Sequence, residues 1–308
     1  MPASWETVHD LLAEQGHRSG IVSLDRLDEL RKEIESQRRE GRLDAELDRE
    51  YLSGFCFQPP EDFPQARSII VVATRDPLVR FHFHWKGRTV PGMVPPTYLH
   101  GGRVNRKIES LLNKLLEESG HRAVPTYLPR KLLAVRSGLA LYGRNNITYV
   151  DGMGSFHRLV SFFSTLPCDS DDWRLPETME RCRTCSACLT ACPTGAIGED
   201  RFLLHAERCL VFHNEKPDQA PFPEWIQPAW HHCLVGCMFC QQACPENREV
   251  LDFIREEMSF SEEETRLLMD GAGLEEMPAE TGEKLRSADL AGLLEALPRN
   301  LRALLDRP

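Results

Sequence analysis

The sequence predicts an α+β protein in four parts: a helical N-terminal region (1–58), an α/β domain (59–175), a compact cysteine-built domain (176–250) and a short acidic helical tail (251–308). Three observations predict this. The run Ser68-Ile69-Ile70-Val71-Val72-Ala73-Thr74 is continuously apolar and β-branched, as a strand buried on both faces reads. Downstream, Val104, Ile108, Leu111, Leu112 and Leu115 recur at helical spacing. From Cys182 to Cys244 the pattern changes abruptly to metal-ligand spacing.

The N-terminal region opens its helical stretch at Ser23, an N-cap residue type, with Leu24, Leu27, Ile34 and Leu43 on one apolar face. Its charge-dense part, from Asp25 to Glu50, predicts a solvated helical surface. The Gly- and Pro-rich residues 86–103 predict a loop. Leu139-Ala140-Leu141-Tyr142 and Ile147-Thr148-Tyr149-Val150 predict short strands around the polar turn Gly143-Arg144-Asn145-Asn146. In the tail, Leu290, Leu293, Leu294, Leu297, Leu301, Leu304 and Leu305 predict one apolar helical face.

The cysteines carry the chemistry. Cys182, Cys185, Cys188 and Cys192-Pro193 have the spacing C-x₂-C-x₂-C-x₃-C-P, which is the bacterial-ferredoxin ligand run for [4Fe–4S] clusters. Three thiolates wrap one cubane, and the fourth is carried on to the other cluster. Cys237, Cys240 and Cys244-Pro245 form a second, shorter copy. The exchange rule assigns Cys182, Cys185, Cys188 and Cys244 to the first cluster, and Cys192, Cys237 and Cys240 to the second. Spacing leaves Cys209 and Cys233 both open as the remaining ligand. A zinc site would use paired C-x₂-C units in place of this triplet. Cys56 and Cys168 stand alone and read as buried free thiols.

The bulk numbers bound the rest. Thirty-seven Lys/Arg against 47 Asp/Glu leave a net charge of −10, and two ligated clusters take it to roughly −14. Such a charge disfavours non-specific nucleic-acid binding. The longest apolar run, residues 69–73, is far short of the about 20 residues a bilayer needs. The N-terminus shows no signal-peptide pattern. The expectation is a cytoplasmic protein away from membranes, whose thiols ligate metal in place of forming disulfides.

The order of segments resembles epoxyqueuosine reductase, within the cobalamin-dependent group that includes the reductive dehalogenases. Four stretches carry the likeness: residues 63–72; Arg136-Ser137-Gly138-Leu139-Ala140-Leu141-Tyr142-Gly143-Arg144-Asn145-Asn146, similar to the family's "AGLGWIGKNT"; Gly154-Ser155-Phe156; and the cysteine domain with Arg208-Cys209-Leu210. The resemblance implies that the α/β domain is of the cobalamin-binding type and precedes a two-[4Fe–4S] ferredoxin-like domain. It implies Arg144, Asn145, Asn146, Ser155 and His157 as cofactor-binding residues, although a lone histidine is as a rule a structural one. It also implies Cys209 as the eighth cluster ligand. The implied activity is an oxidoreductase passing electrons through both clusters to cobalt. The partners are an external donor such as ferredoxin or flavodoxin, and a small-molecule substrate or a corrinoid protein.

One departure stands out. The family places a proton-donating Asp ahead of the "AGLGW" stretch, yet no Asp or Glu occurs between Ser119 and Val150. Tyr127, close to Arg130 and Lys131, falls near that position and is the expected catalytic proton donor. The vacancy and the acidic tail, with thirteen Asp/Glu against seven Lys/Arg from Arg255 onward, make tRNA an unexpected substrate. A basic excess of six charges across residues 103–144 runs the other way.

Overall fold

The apolar run at 69–73 becomes the middle of a four-stranded sheet. In a computed structural model describing residues 4–199 and 201–306, the strand Ser68–Arg75 pairs with Arg18–Ser23 on one side and His157–Ser164 on the other. The short strand Ala123–Pro125 completes the sheet beyond His157–Ser164. Every pairing is antiparallel, so residue 69 faces 163 and residue 70 faces 162.

Strand periodicity then divides the core. Ile69, Val71 and Ala73 point into a cluster with Leu27, Leu30, Leu132 and Leu133. Ile70 and Val72 point to the opposite face, against Val8, Leu12, Ile108, Leu112 and Leu116. Helices Leu27–Arg39 and Arg130–Arg136 supply the first face, and Trp5–Glu14 and Gly101–Glu117 the second. Each of these strand side chains is buried, which is worth about 1.5–3 kcal/mol for a Val or Ile. The expected buried strand and the helix around 104–115 are both present. The strand Arg18–Ser23 is a correction: it interrupts a region read as helical, because its Gly20 and flanking Ser residues hide any strand pattern.

The chain divides into two compact units, each discontinuous in sequence. The sheet above belongs to the first, Met1–Arg75, Gly102–Ser186 and Ile197–Ala206. The second collects Asp76–Gly101, Ala187–Ala196 and Glu207–Pro308.

In the second unit, Leu78–Trp85 is the middle strand of three. It pairs antiparallel with Arg88–Val94 and parallel with Ile254–Phe260. Two expectations are corrected here. Residues 86–94 are the turn and second strand of a hairpin, turning at Lys86 and Gly87, both with positive φ, while 95–100 are the expected loop and a helix starts at Gly101. The tail opens with a strand, not a helix, since Phe260 stacks on Phe83 at 5.2 Å between ring centroids and buries completely. The tail leucines also do not share one helix. Leu290 lies outside regular structure, while Leu297, Leu301, Leu304 and Leu305 ride on the final helix Leu297–Leu305. All five pack with Val79, Phe81 and Phe83 in one core.

Candidate metal centre

None of the eleven cysteines is in a disulfide. Cys182 lies on the 3₁₀ turn Glu180–Arg183 of the first unit, and Cys185 follows, its N–H bonded to the Arg181 carbonyl at 3.1 Å. In the second unit, Cys188 is on the short helix Ala187–Ala191. Cys192 ends that helix, its N–H bonded to the Cys188 carbonyl at 3.1 Å. The second motif starts at Gly236, whose φ of +68° suits glycine, and continues through the helix Phe239–Gln242, which packs on Ala187–Ala191.

The second unit brings the thiols of Cys192, Cys209, Cys233 and Cys237 into one neighbourhood. Burial pushes the Cys237 thiol well up, and the nearby Cys233, Cys209 and Cys192 thiols push it further, against a backbone N–H from Phe239. Burial likewise raises Cys209 to about 11, opposed by backbone N–H groups of Val211 and Phe212 and reinforced by Cys192 and Glu215. Thiols crowded in a buried space resist becoming thiolates unless a cation joins them. An iron core supplies that charge and is the natural complement of this donor set. Among the described residues, no three His, Cys, Asp or Glu side chains converge as a single ion requires. A cubane gives each thiolate a different iron over a wider core. Cys233 is fully buried and Cys209 only partly, and both stand beside Cys237.

The polar turn belongs to the first unit, where Arg144 donates to the carbonyl of Cys182. Its buried Nε has no hydrogen-bond partner. Asn145 is spent on the fold: Nδ2 donates to the Tyr149 hydroxyl at 3.0 Å and Oδ1 accepts from the Ile147 N–H at 3.3 Å. Asn146 holds the turn with a φ of +59°, and Lys131 Nζ reaches its carbonyl at 3.1 Å. Gly143 has no room for a side chain, since a Cβ would sit 2.4 Å from Asn145 Oδ1.

His157, expected to bind the cofactor, is occupied as a strut. Nε2 lies 3.1 Å from Thr148 Oγ1 and Nδ1 lies 3.0 Å from the Gly154 carbonyl. Burial lowers its pKa to about 4, so it is neutral, with Nδ1–H donating to the carbonyl. Ser155 is buried beside it in sequence. Tyr127 is 51% exposed, with its ring 5.5 Å from that of Phe55. Arg130 is close enough to feel Tyr127, and its Nε is also buried without a partner. Cys56 is exposed, not buried as expected, because its segment runs along the surface beside Tyr127. Cys168 is half-buried.

Sequence reading missed four residues that shape the thiol neighbourhood. Tyr98 donates to the Glu215 carboxylate. Arg299 is buried and donates to the carbonyls of His213, Lys216 and Pro217, among others. Asn300 donates to those of Asn214 and Leu234 at 2.7 and 2.8 Å. Nothing in the sequence signals these pairings, which span from 66 to 117 positions.

Comparison with known proteins agrees with this arrangement. Residues 181–247 match the 4Fe-4S double cluster binding domain. The epoxyqueuosine reductase of Synechococcus sp. is 34% identical over 148 residues, covering 47% of this chain and 44% of the relative. That of Gloeobacter violaceus is 30% identical over 197 residues, covering 60% and 57%. The chain spans about half the length of the curated relatives it matches. The fold is that of solved epoxyqueuosine reductases. The Bacillus subtilis structure superposes with a TM-score of 0.66 at 23% identity, over 97% of this chain and 80% of that one. A structure solved with an epoxyqueuosine-modified tRNA stem loop gives 0.68 at 22%, with the same coverage. No helix among the described residues is long and apolar enough to cross a membrane. Residues 181–247 therefore match the 4Fe-4S double cluster binding domain, in a chain that is similar in sequence and in fold to epoxyqueuosine reductases.

Proposed function

We propose that this chain is an iron–sulfur oxidoreductase that relays single electrons through two [4Fe–4S] clusters to a cobalamin, and that its substrate is not tRNA. The observation that carries the redox reading is the gathering of the Cys192, Cys209, Cys233 and Cys237 thiols in one buried neighbourhood. The ligands would be Cys182, Cys185, Cys188 and Cys244 for one cluster, and Cys192, Cys209, Cys237 and Cys240 for the other. Cobalamin, when bound, supplies a cobalt centre that accepts electrons and attacks or reduces an electrophile. Of the residues expected to hold it, Arg144 fits best, because its Nε is a buried donor in need of an acceptor. Tyr127 presents a half-exposed phenol with the Arg130 guanidinium close by, and is the residue that would donate a proton. Electrons would come from a donor of the ferredoxin or flavodoxin class, and the acceptor would be a small molecule or a corrinoid protein.

Anaerobically prepared protein is expected to hold about eight iron and eight sulfide, as two cubanes require, and to bind hydroxocobalamin one to one. Zinc without sulfide would overturn the cluster reading. Incubation with epoxyqueuosine-tRNA should yield no queuosine, since the proton-donating Asp is absent; efficient conversion would overturn the substrate reading. A second reading, an electron carrier without cobalamin, is favoured by Asn145 and His157 having their side chains spent inside the fold. Full cluster content with no cobalamin binding at tens of micromolar would select it.

A further inference from the structure

The second thiol group has a charged neighbour outside the cysteine motif. Tyr98 donates its hydroxyl hydrogen to Glu215. The same hydroxyl lies over the backbone leading to Cys237: a Cβ placed on Gly236 would meet it at 2.9 Å. Glu215 follows the helix Leu210–Asn214, which starts from Cys209. That helix is locked in place, because Asn214 Nδ2 donates to the Gly236 carbonyl at 2.7 Å and Asn300 and Arg299 bind its last turn. A carboxylate is thereby held rigidly beside the Cys209 and Cys237 backbone. The Cys182 motif has the opposite arrangement, with the Arg144 guanidinium on the Cys182 carbonyl.

We propose that Glu215, oriented by Tyr98, is a fixed negative charge that makes the cluster held by Cys192, Cys209, Cys237 and Cys240 the low-potential member of the pair. This rests on the cluster assignment proposed above. Reduction adds one electron, from a low-potential one-electron donor, to a core already surrounded by four thiolates, taking it from the 2+ to the 1+ state with no bond or proton exchanged. A carboxylate nearby raises the energy of the added electron, and a cation lowers it. An electron on the second cluster therefore moves downhill to the first.

The test is an anaerobic redox titration of the holoprotein followed by electron paramagnetic resonance, with iron and sulfide analysis of every sample. Wild type should show two midpoints. In Glu215→Gln the lower one should rise, increasing the reduced-to-oxidised ratio at fixed potential about tenfold, which is about 59 mV for one electron. The upper midpoint should stay in place. Tyr98→Phe should move the lower midpoint the same way by less, and it decides the matter if Glu215→Gln loses iron. Full iron with an unmoved lower midpoint, or equal movement of both, would overturn the proposal. Wild type lacking iron and sulfide would instead overturn the cluster assignment beneath it.

Discussion

The polar turn at 143–149 and the thiol group around Cys237 are both buried and both polar, yet they differ in how their atoms are satisfied. Around the turn, Asn145 and His157 place each of their polar side-chain atoms on a partner within the same unit. Around Cys237, the thiols meet burial, backbone N–H groups and one another. At Asn145 and His157 the first arrangement is complete as folded, while the Arg144 Nε keeps an open donor. The second gathers thiols that a cation would hold as thiolates. Burial therefore does not separate structural from functional polar groups here; the account of partners does.

The strongest way to break this comparison is to delete thiols. Cys237→Ser should cost a whole cluster, about four of eight iron. Cys209→Ser should do the same while Cys233→Ser keeps the iron; the reverse pattern would make Cys233 the eighth ligand. Removing the support is next. Arg299→Leu strips donors from several buried carbonyls and should destabilise the fold by about 3 kcal/mol or more, read as a lower denaturant midpoint.

The turn should respond as a packed structural piece. His157 is held at about 4 against an ordinary 6.5. Between those values the unfolded chain binds a proton that the folded chain refuses, so stability falls as pH drops through that window. His157→Gln should flatten this dependence, the difference in slope amounting to about 3 kcal/mol across the window; parallel curves for the two proteins would show that the imidazole is not held neutral. Gly143→Ala forces a methyl against Asn145 and Tyr149 and should cost about 1–3 kcal/mol, with iron content retained. The smallest effect belongs to exposed Cys56: Cys56→Ser should leave iron content and melting unchanged.

Local signals explain what could be read in advance. The strand at 68–75 was legible because an uninterrupted β-branched run has few alternatives, and the turn at 143–146 because Asn suits the positive φ at 146. Strands Arg18–Ser23, Arg88–Val94 and Ile254–Phe260 were not legible. Gly20, Pro91 with Gly92, and the charged Arg255-Glu256-Glu257 carry weak strand propensity, and only pairing with an apolar neighbour makes strands of them. Likewise no periodicity distinguishes His157 as a strut from His157 as a ligand. That depends on Thr148 and the Gly154 carbonyl arriving at its two nitrogens.

The sequence by itself determined the double-cluster motif of residues 181–247 and the central strand, because cysteine spacing and strand burial are written in steps of a few residues. The tertiary structure alone decided which cations and carboxylates stand beside those cysteines. Tyr98 and Glu215 meet across 117 positions, and Asn300 reaches back 86 to Asn214. Contacts of that span follow from how strands and helices pack, and packing is a property of the whole apolar core rather than of any local run of residues.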